Sequence, residues 1–188
     1  MHDARVKLRN NFQGDDRVEL DSLNCLFINV RSILNNFKIE ELNDIAVDQN
    51  LHIIGIAESW LNKDVDSSSV NMADFNLYRR DRDTLRDNRG GGVLLYVHKT
   101  LISSELVILN SFNCEVVGCN ILLGKNKFST FAVVYRSPSS SSVECEEIAK
   151  VLSVLGSNET VVIMGDFNHP GINWENYASS NNEEEKNS

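Results

Sequence analysis

Residues 23–30 (LNCLFINV), 52–57 (HIIGIA) and 161–164 (VVIM) are short, almost wholly apolar runs rich in Ile and Val. Runs of this length and composition read as strands buried on both faces, because a surface strand alternates polar with apolar residues and a buried helix needs a longer stretch. Between the first two runs, Ile39, Leu42, Ile45 and Ala46 recur at helical spacing, as one apolar stripe. A β-α-β order of this kind points to an α/β domain.

The middle of the chain has a different rhythm. Apolar runs at 93–97, 106–109, 116–123 and 128–135 are separated by turn residues, among them Lys99-Thr100, Asn110-Ser111 and Gly124-Lys125-Asn126. That pattern predicts consecutive antiparallel strands, while the stretch 76–82 is short and polar. The serine-rich segment 137–142 reads as a loop, followed by a helix over 143–155 with Ile148, Val151, Leu152 and Leu155 on one face and Gly156 as its cap. Residues 1–21 are polar and aperiodic, and read as a lead-in. The expected domain spans 22–177, and 178–188, with Glu183, Glu184 and Glu185, reads as a disordered acidic tail.

Composition narrows the setting. The chain has 188 residues, enough for one core, and no apolar run long enough for a transmembrane helix. No apolar leader follows Met1, so an intracellular site, cytoplasmic or nuclear, is expected, with no membrane partner. The four cysteines, Cys25, Cys114, Cys119 and Cys145, show no zinc spacing and read as small buried hydrophobes. A net charge of −9 disfavours a broad nucleic-acid surface, yet leaves room for a metal-dependent nuclease with a local basic rim.

Polar groups at the ends of buried strands are the candidates for chemistry, because an unpaired charge there is expensive. Glu58 directly follows HIIGIA, and Asp166 follows VVIMG. Asn168 stands two residues past Asp166, on the same side of an extended backbone. Asn29 and Tyr135 close two further strands. The carboxylates suit a hard cation such as Mg²⁺, with Mn²⁺ as a substitute. The amides and the phenol suit hydrogen bonds to phosphate oxygens. Each group also has a plainer reading: a capping or paired Glu58, an Asx-turn at Asp166, half-buried strand residues at Asn29 and Tyr135. Arg79, Arg80, Arg82, Arg86 and Arg89 make 79–89 locally basic, either as a solvated hairpin or as a phosphate-contacting rim. The triplet Gly90-Gly91-Gly92 lacks the Lys-Ser/Thr of a phosphate loop and reads as a tight turn. His169 adjoins the Asp166 site; His52 and His98 have no ligand spacing.

Taken in order, these residues resemble the endonuclease/exonuclease/phosphatase superfamily. Asn29 in INVRS is similar to the family's first-strand Asn, and Glu58 in GIAESWL to its metal-binding Glu. Tyr135 in VVYRSP resembles its phosphate-contacting Tyr, and Asp166 and Asn168 in MGDFNHP resemble its Asp-x-Asn motif. NVRS, ESWL, RRDR before GGGVLLYV, VYRSP and GDFNHPGINW together look like the endonuclease domain of LINE-type, jockey-like retroelements. Arg31 stands where abasic-site endonucleases carry an acidic residue, which favours that branch.

The resemblance implies a two-sheet α/β sandwich (DNase I-like) and Mg²⁺-dependent nicking of DNA. In these roles Glu58 and Asp166 hold metal or water, Asn29, Asn168 and Tyr135 position the phosphate, and Arg79, Arg80 and Arg82 contact the backbone of the DNA. It also implies later strands and a terminal Ser-Asp-His that these 188 residues do not contain. The expectation is therefore a sandwich incomplete at its C-terminal side, with an exposed apolar edge. Two other readings stand beside an active nuclease: a non-catalytic fragment or binding module of retroelement origin, and a phosphatase of the same superfamily.

Overall fold

In the computed structural model, two parallel strand pairs form the centre of the molecule. Strands β2 (Ser22–Asn29) and β3 (Ile53–Ala57) lie side by side in parallel, with Cys25 opposite Ile53 and Asn29 opposite Ala57. Parallel neighbours need a crossover, which helix α1 (Lys38–Asp48) supplies. The helix buries Leu42 and Ala46, with Ile39 and Ile45 half-buried beside them. The structure describes residues 6–9, 22–35, 37–82, 90–124, 127–168, 172–173 and 178–179.

Around this pair the first sheet has the order β1-β2-β3-β5-β4. Its other strands are β1 (Val6–Arg9), β4 (Phe75–Arg80) and β5 (Val93–His98), all antiparallel to their neighbours. The second sheet has the order β6-β7-β8-β9, from β6 (Ile102–Glu105), β7 (Glu115–Gly124), β8 (Lys127–Tyr135) and β9 (Val161–Asp166). Here β8 and β9 are the parallel pair, and α2 (Ser142–Gly156) is their crossover. Two short strands, β10 (Ile172–Asn173) and β11 (Ala178–Ser179), pair with each other.

The sheets pack face to face. Strand alternation sends Leu23, Cys25, Ile53, Val133 and Met164 into the layer between them, where they form one cluster. The alternate residues face the helices: Ile54, Ile56 and Leu94 pack with α1, and Val116, Ala132 and Val134 with α2. Each fully buried Ile or Leu contributes about 1.5–3 kcal/mol relative to exposure. Gly55 marks the closest approach of the sheets, since a Cβ there would lie 2.9 Å from Val133 Cγ2 and 3.1 Å from Met164 Cε. The two-sheet α/β sandwich that the family resemblance implies is the architecture observed.

Several local expectations need correction. Residues 76–82, read only as a short polar stretch, run mostly as β4: Phe75 and Leu77 pack on the α1 side and Tyr78 on the other, so alternation is present but masked by the arginines. The run 106–109 is not a strand. The strand is β6, just before it, and Val107–Ser111 is a 3-10 turn that buries Leu109. The four middle runs do not form one antiparallel series either, because β5 joins the first sheet while β6, β7 and β8 form the second. Within the lead-in, Val6–Arg9 adds an edge strand to β2. Gly156 is the last residue of α2 rather than its cap, and Ser157 ends the helix in right-handed geometry. At the other end α2 carries a capping box between Ser141 and Glu144. Of the expected tail, Ala178–Ser179 is strand, and 180–188, with the three glutamates, lies outside the described residues. No described helix is long and apolar enough to cross a membrane.

Candidate active site

The C-terminal ends of β2, β3, β8 and β9 come together at one end of the sandwich. Asn29 continues the alternation of Cys25 and Phe27, Asp166 that of Val162 and Met164, and Tyr135 that of Phe131 and Val133. All three therefore emerge on the inter-sheet side. Tyr135 and Asp166 are also direct partners in the β8–β9 register. Glu58 gets there differently. Ala57 already faces the inter-sheet layer, so simple alternation would send the next side chain outward. The backbone at Glu58 instead turns into the left-handed region, with φ of 53°. For a non-glycine residue that costs about 1–2 kcal/mol, and the carboxylate ends among the other three groups.

The cluster is hydrogen-bonded throughout. Asn29 Nδ2 donates to Glu58 Oε1 at 3.0 Å and to Asp166 Oδ2 at 3.0 Å. Tyr135 donates its hydroxyl to the same Glu58 oxygen at 3.1 Å. Burial raises the phenol's pKa above its ordinary value, and the charge and hydrogen bond of Glu58 raise it further, so it remains a protonated donor. Asn168 stands beside this group without joining it. Its backbone N–H reaches Asp166 Oδ1 at 3.3 Å, but its side-chain amide donates to the Arg136 carbonyl at 2.8 Å. Arg136 answers by donating to the Asn168 carbonyl at 2.8 Å.

The three basic residues part company. Arg79 leaves β4 on the α1 face, and its guanidinium is taken up by Asp81 at 2.6 Å, Asn62 and Val65 carbonyls and the Ser67 hydroxyl. Arg80, Arg82 and Tyr135 line a groove of about 930 Å³. Arg80 donates to the Phe112 carbonyl at 3.2 Å. Arg82 bonds Glu115 at 2.6 Å and lies 5.8 Å from the centre of the Tyr135 ring, within cation-π range. Arg86, Arg89 and His169 lie outside the described residues.

The model of one protein family, described as the endonuclease/exonuclease/phosphatase family, matches residues 22–185. The chain belongs to this family. No curated protein matches it by sequence. Among solved structures it is similar to the endonuclease domain of TRAS1, a telomere-specific non-LTR retrotransposon, with TM-score 0.55 and 17% identity over 77% of this chain and 58% of that one. It is similar to an endonuclease/exonuclease/phosphatase family protein from Leptotrichia buccalis C-1013-b, with TM-score 0.55 and 15% identity over 82% and 71% of the two chains. A third likeness is to the 3′ phosphatase NExo from Neisseria bound to product DNA hairpin, with TM-score 0.53 and 14% identity over 78% and 58%. At these identities the likeness is one of fold, and the chain spans little more than half the length of the TRAS1 domain.

Members of the endonuclease/exonuclease/phosphatase family hydrolyse phosphodiester bonds, and its nucleases generally use divalent metals. The donor set here fits such an ion. Glu58 and Asp166 share one amide donor, so their oxygens lie within reach of a common centre, and among the described residues the side chains that donate to them are neutral. Among the described residues neither has an ion-pair partner, and no third His, Cys, Asp or Glu completes a cage. Two adjacent carboxylates with only neutral donors favour a hard cation that keeps waters or phosphate oxygens as its other ligands.

Sequence reasoning missed two residues here, Glu115 and Arg136. Arg136 ties the Asp166–Asn168 turn to α2 through Cys145 Sγ at 3.3 Å. Glu115 opens β7 directly opposite Tyr135 in the β7–β8 register, which only the pairing reveals. The one available signal was that a glutamate begins a strand whose other residues, Asn120 apart, are apolar or glycine.

Proposed function

We propose that this chain carries a divalent-cation-dependent phosphodiesterase site that nicks DNA, of the retroelement endonuclease type, with Mg²⁺ as the natural ion and Mn²⁺ as a substitute. One observation carries the reading: a single amide, Asn29, bridges Glu58 and Asp166, and Tyr135 donates to the same Glu58 oxygen. Four strand ends from two sheets are brought to one point, which packing alone does not require. The likeness of fold to the TRAS1 endonuclease and the LINE-type motifs around these residues support DNA as substrate.

Glu58 and Asp166 would hold the ion, which supplies Lewis-acid polarisation of a phosphoryl oxygen and charge neutralisation when bound. The residues themselves do the rest. Asn29 and Tyr135, whose hydrogens rest on the two carboxylates in the free site, would turn these uncharged donors to phosphate oxygens once an ion takes the carboxylates. Asp166 accepts from, and so orients, the attacking water. Arg80 and Arg82, on the groove wall, take the flanking phosphates as charge-assisted partners.

The test is nicking of supercoiled plasmid in Mg²⁺ by the full chain, beside Glu58→Ala and Asp166→Ala. Nicking in the parent that falls by about 10²-fold or more in both variants and stops with EDTA is the expected result. A folded chain that binds the plasmid without nicking it would replace this reading with a binding module. Release of phosphate from small phosphomonoesters without nicking would replace it with a phosphatase.

A further inference from the structure

Glu115 sits outside the cluster of four yet is connected to it along two routes. One carboxylate oxygen, Oε2, accepts the backbone N–H of Gly92. The carbonyls of that glycine turn in turn hold the two residues after Glu58: Ser59 N donates to Gly92 O at 3.1 Å and Trp60 N to Gly91 O at 2.9 Å. The other oxygen, Oε1, accepts from Arg82 at 2.6 Å, whose guanidinium lies against the Tyr135 ring, and Tyr135 donates back to Glu58. A closed circuit therefore runs from Glu58 through backbone to Glu115, and returns through Arg82 and Tyr135.

The circuit is tightly built. Gly91 and Gly92 have φ of 70° and 81°, and a Cβ on either would overlap Arg82, Glu115 or the Ser59 hydroxyl. Ser59 is fully buried. The Glu115 and Arg82 side chains are only 17% and 18% exposed, so each charge depends on the other. Such a brace suits the strained backbone at Glu58, which persists only if its surroundings over-determine it.

We propose that Glu115, braced by Arg82, is a positioning residue that holds Glu58 in the metal-holding cluster through the glycine turn. This rests on the reading of Glu58 given above, but its test need not. Backbone hydrogen exchange of the full chain reads the turn directly. Two variants remove the acceptor for Gly92. The first is Glu115→Ala. The second, Arg82→Leu with Glu115→Leu, removes both charges together and so leaves no unpaired ion buried if the first does not fold. In each, the amides of Ser59 and Trp60 are expected to exchange at least about tenfold faster, while Leu26 and Val133 in the sheets keep their protection. Glu115→Gln retains an acceptor for Gly92 and is expected to restore Ser59 and Trp60. Unchanged exchange at Ser59 and Trp60, or an equal rise at Leu26 and Val133, overturns the proposal. A parent chain that neither nicks plasmid nor takes up Mg²⁺ in a calorimetric titration defeats the nuclease reading instead, and leaves the exchange result to decide the brace. Where the parent is active, Glu115→Ala is expected to lose kcat with little change in KM, since Arg80 and Arg82 stay on the groove wall.

Discussion

At the scale of single residues, the cluster is economical: one oxygen of Glu58 takes both the Asn29 amide and the Tyr135 hydroxyl. Removing either donor therefore affects the carboxylate as well as any phosphate. Tyr135→Phe keeps the ring in its buried place and deletes only the hydroxyl. It is expected to lower nicking by about 10²-fold, the usual cost of one oriented donor, with the thermal midpoint little changed. A midpoint that drops together with activity would mean that the hydroxyl is structural. Asn29→Leu leaves the Glu58 and Asp166 carboxylates adjacent with no shared donor, and is expected to impair both folding and activity, because like charges that close repel. Asn29→Asp adds a third carboxylate at the same point and is expected to make stability depend on added Mg²⁺, read as a rise in the midpoint on titrating the ion.

The elements that deliver these residues rest on two local devices. Gly55 lets β3 approach β8 and β9, and a methyl group there meets Val133 Cγ2 at 2.9 Å. Val133 is β-branched and buried, with little freedom to turn away. Gly55→Ala is expected to cost about 1–3 kcal/mol in urea unfolding, and to lower activity further by moving β3 relative to β9. The second device is the capping box that starts α2, where Ser141 accepts the Glu144 N–H at 3.3 Å and Glu144 accepts the Ser141 N–H at 2.8 Å. Ser141→Ala is expected to cost about 1 kcal/mol. Should the same variant also weaken plasmid binding, the part of the groove that Ser141 and Glu144 line belongs to the substrate path.

For the molecule as a whole, the pH dependence of stability follows from acids buried in their neutral form. Burial pushes the thiols of Cys25 and Cys114 up to about 11 and that of Cys119 to about 12, and moves Tyr96 and Tyr135 upward as well. Every one of these groups ionises more readily unfolded than folded. The stability they protect is thus full below the unfolded thiol value of 9.0 and is lost as pH rises through the folded values. The thermal midpoint is expected to hold level from neutral pH to about pH 8.5 and then fall. Cys119→Ala, which removes the thiol pushed furthest, is expected to flatten the first part of that fall. A midpoint that is level to pH 11 in the parent would mean that these side chains reach solvent in the folded state.

Much of this was legible from sequence. Buried parallel strands announce themselves, because both faces are covered and an unpaired charge is too costly to accommodate before the strand ends. That is why Glu58 and Asp166 stood out, and why Asn29 and Tyr135 could be set beside them. Edge strands and turns were read poorly. In β4 the arginines masked a regular alternation, and the apolar run 106–109 leads into a 3-10 turn in which Leu109 is buried while Val107 and Ile108 stay exposed. What one-dimensional pattern determined here was the alternation of β with α and the identity of the polar strand ends, since each depends on local periodicity and on the cost of burying charge; the two-sheet class came from the family resemblance. Only the tertiary structure decided that Arg79 belongs to a loop anchor while Arg82 belongs to the groove, that Asn168 turns to Arg136, and that Glu115 braces the glycine turn. Those outcomes depend on register and on which sheet a strand joins, and both are settled by contacts between residues far apart in the chain.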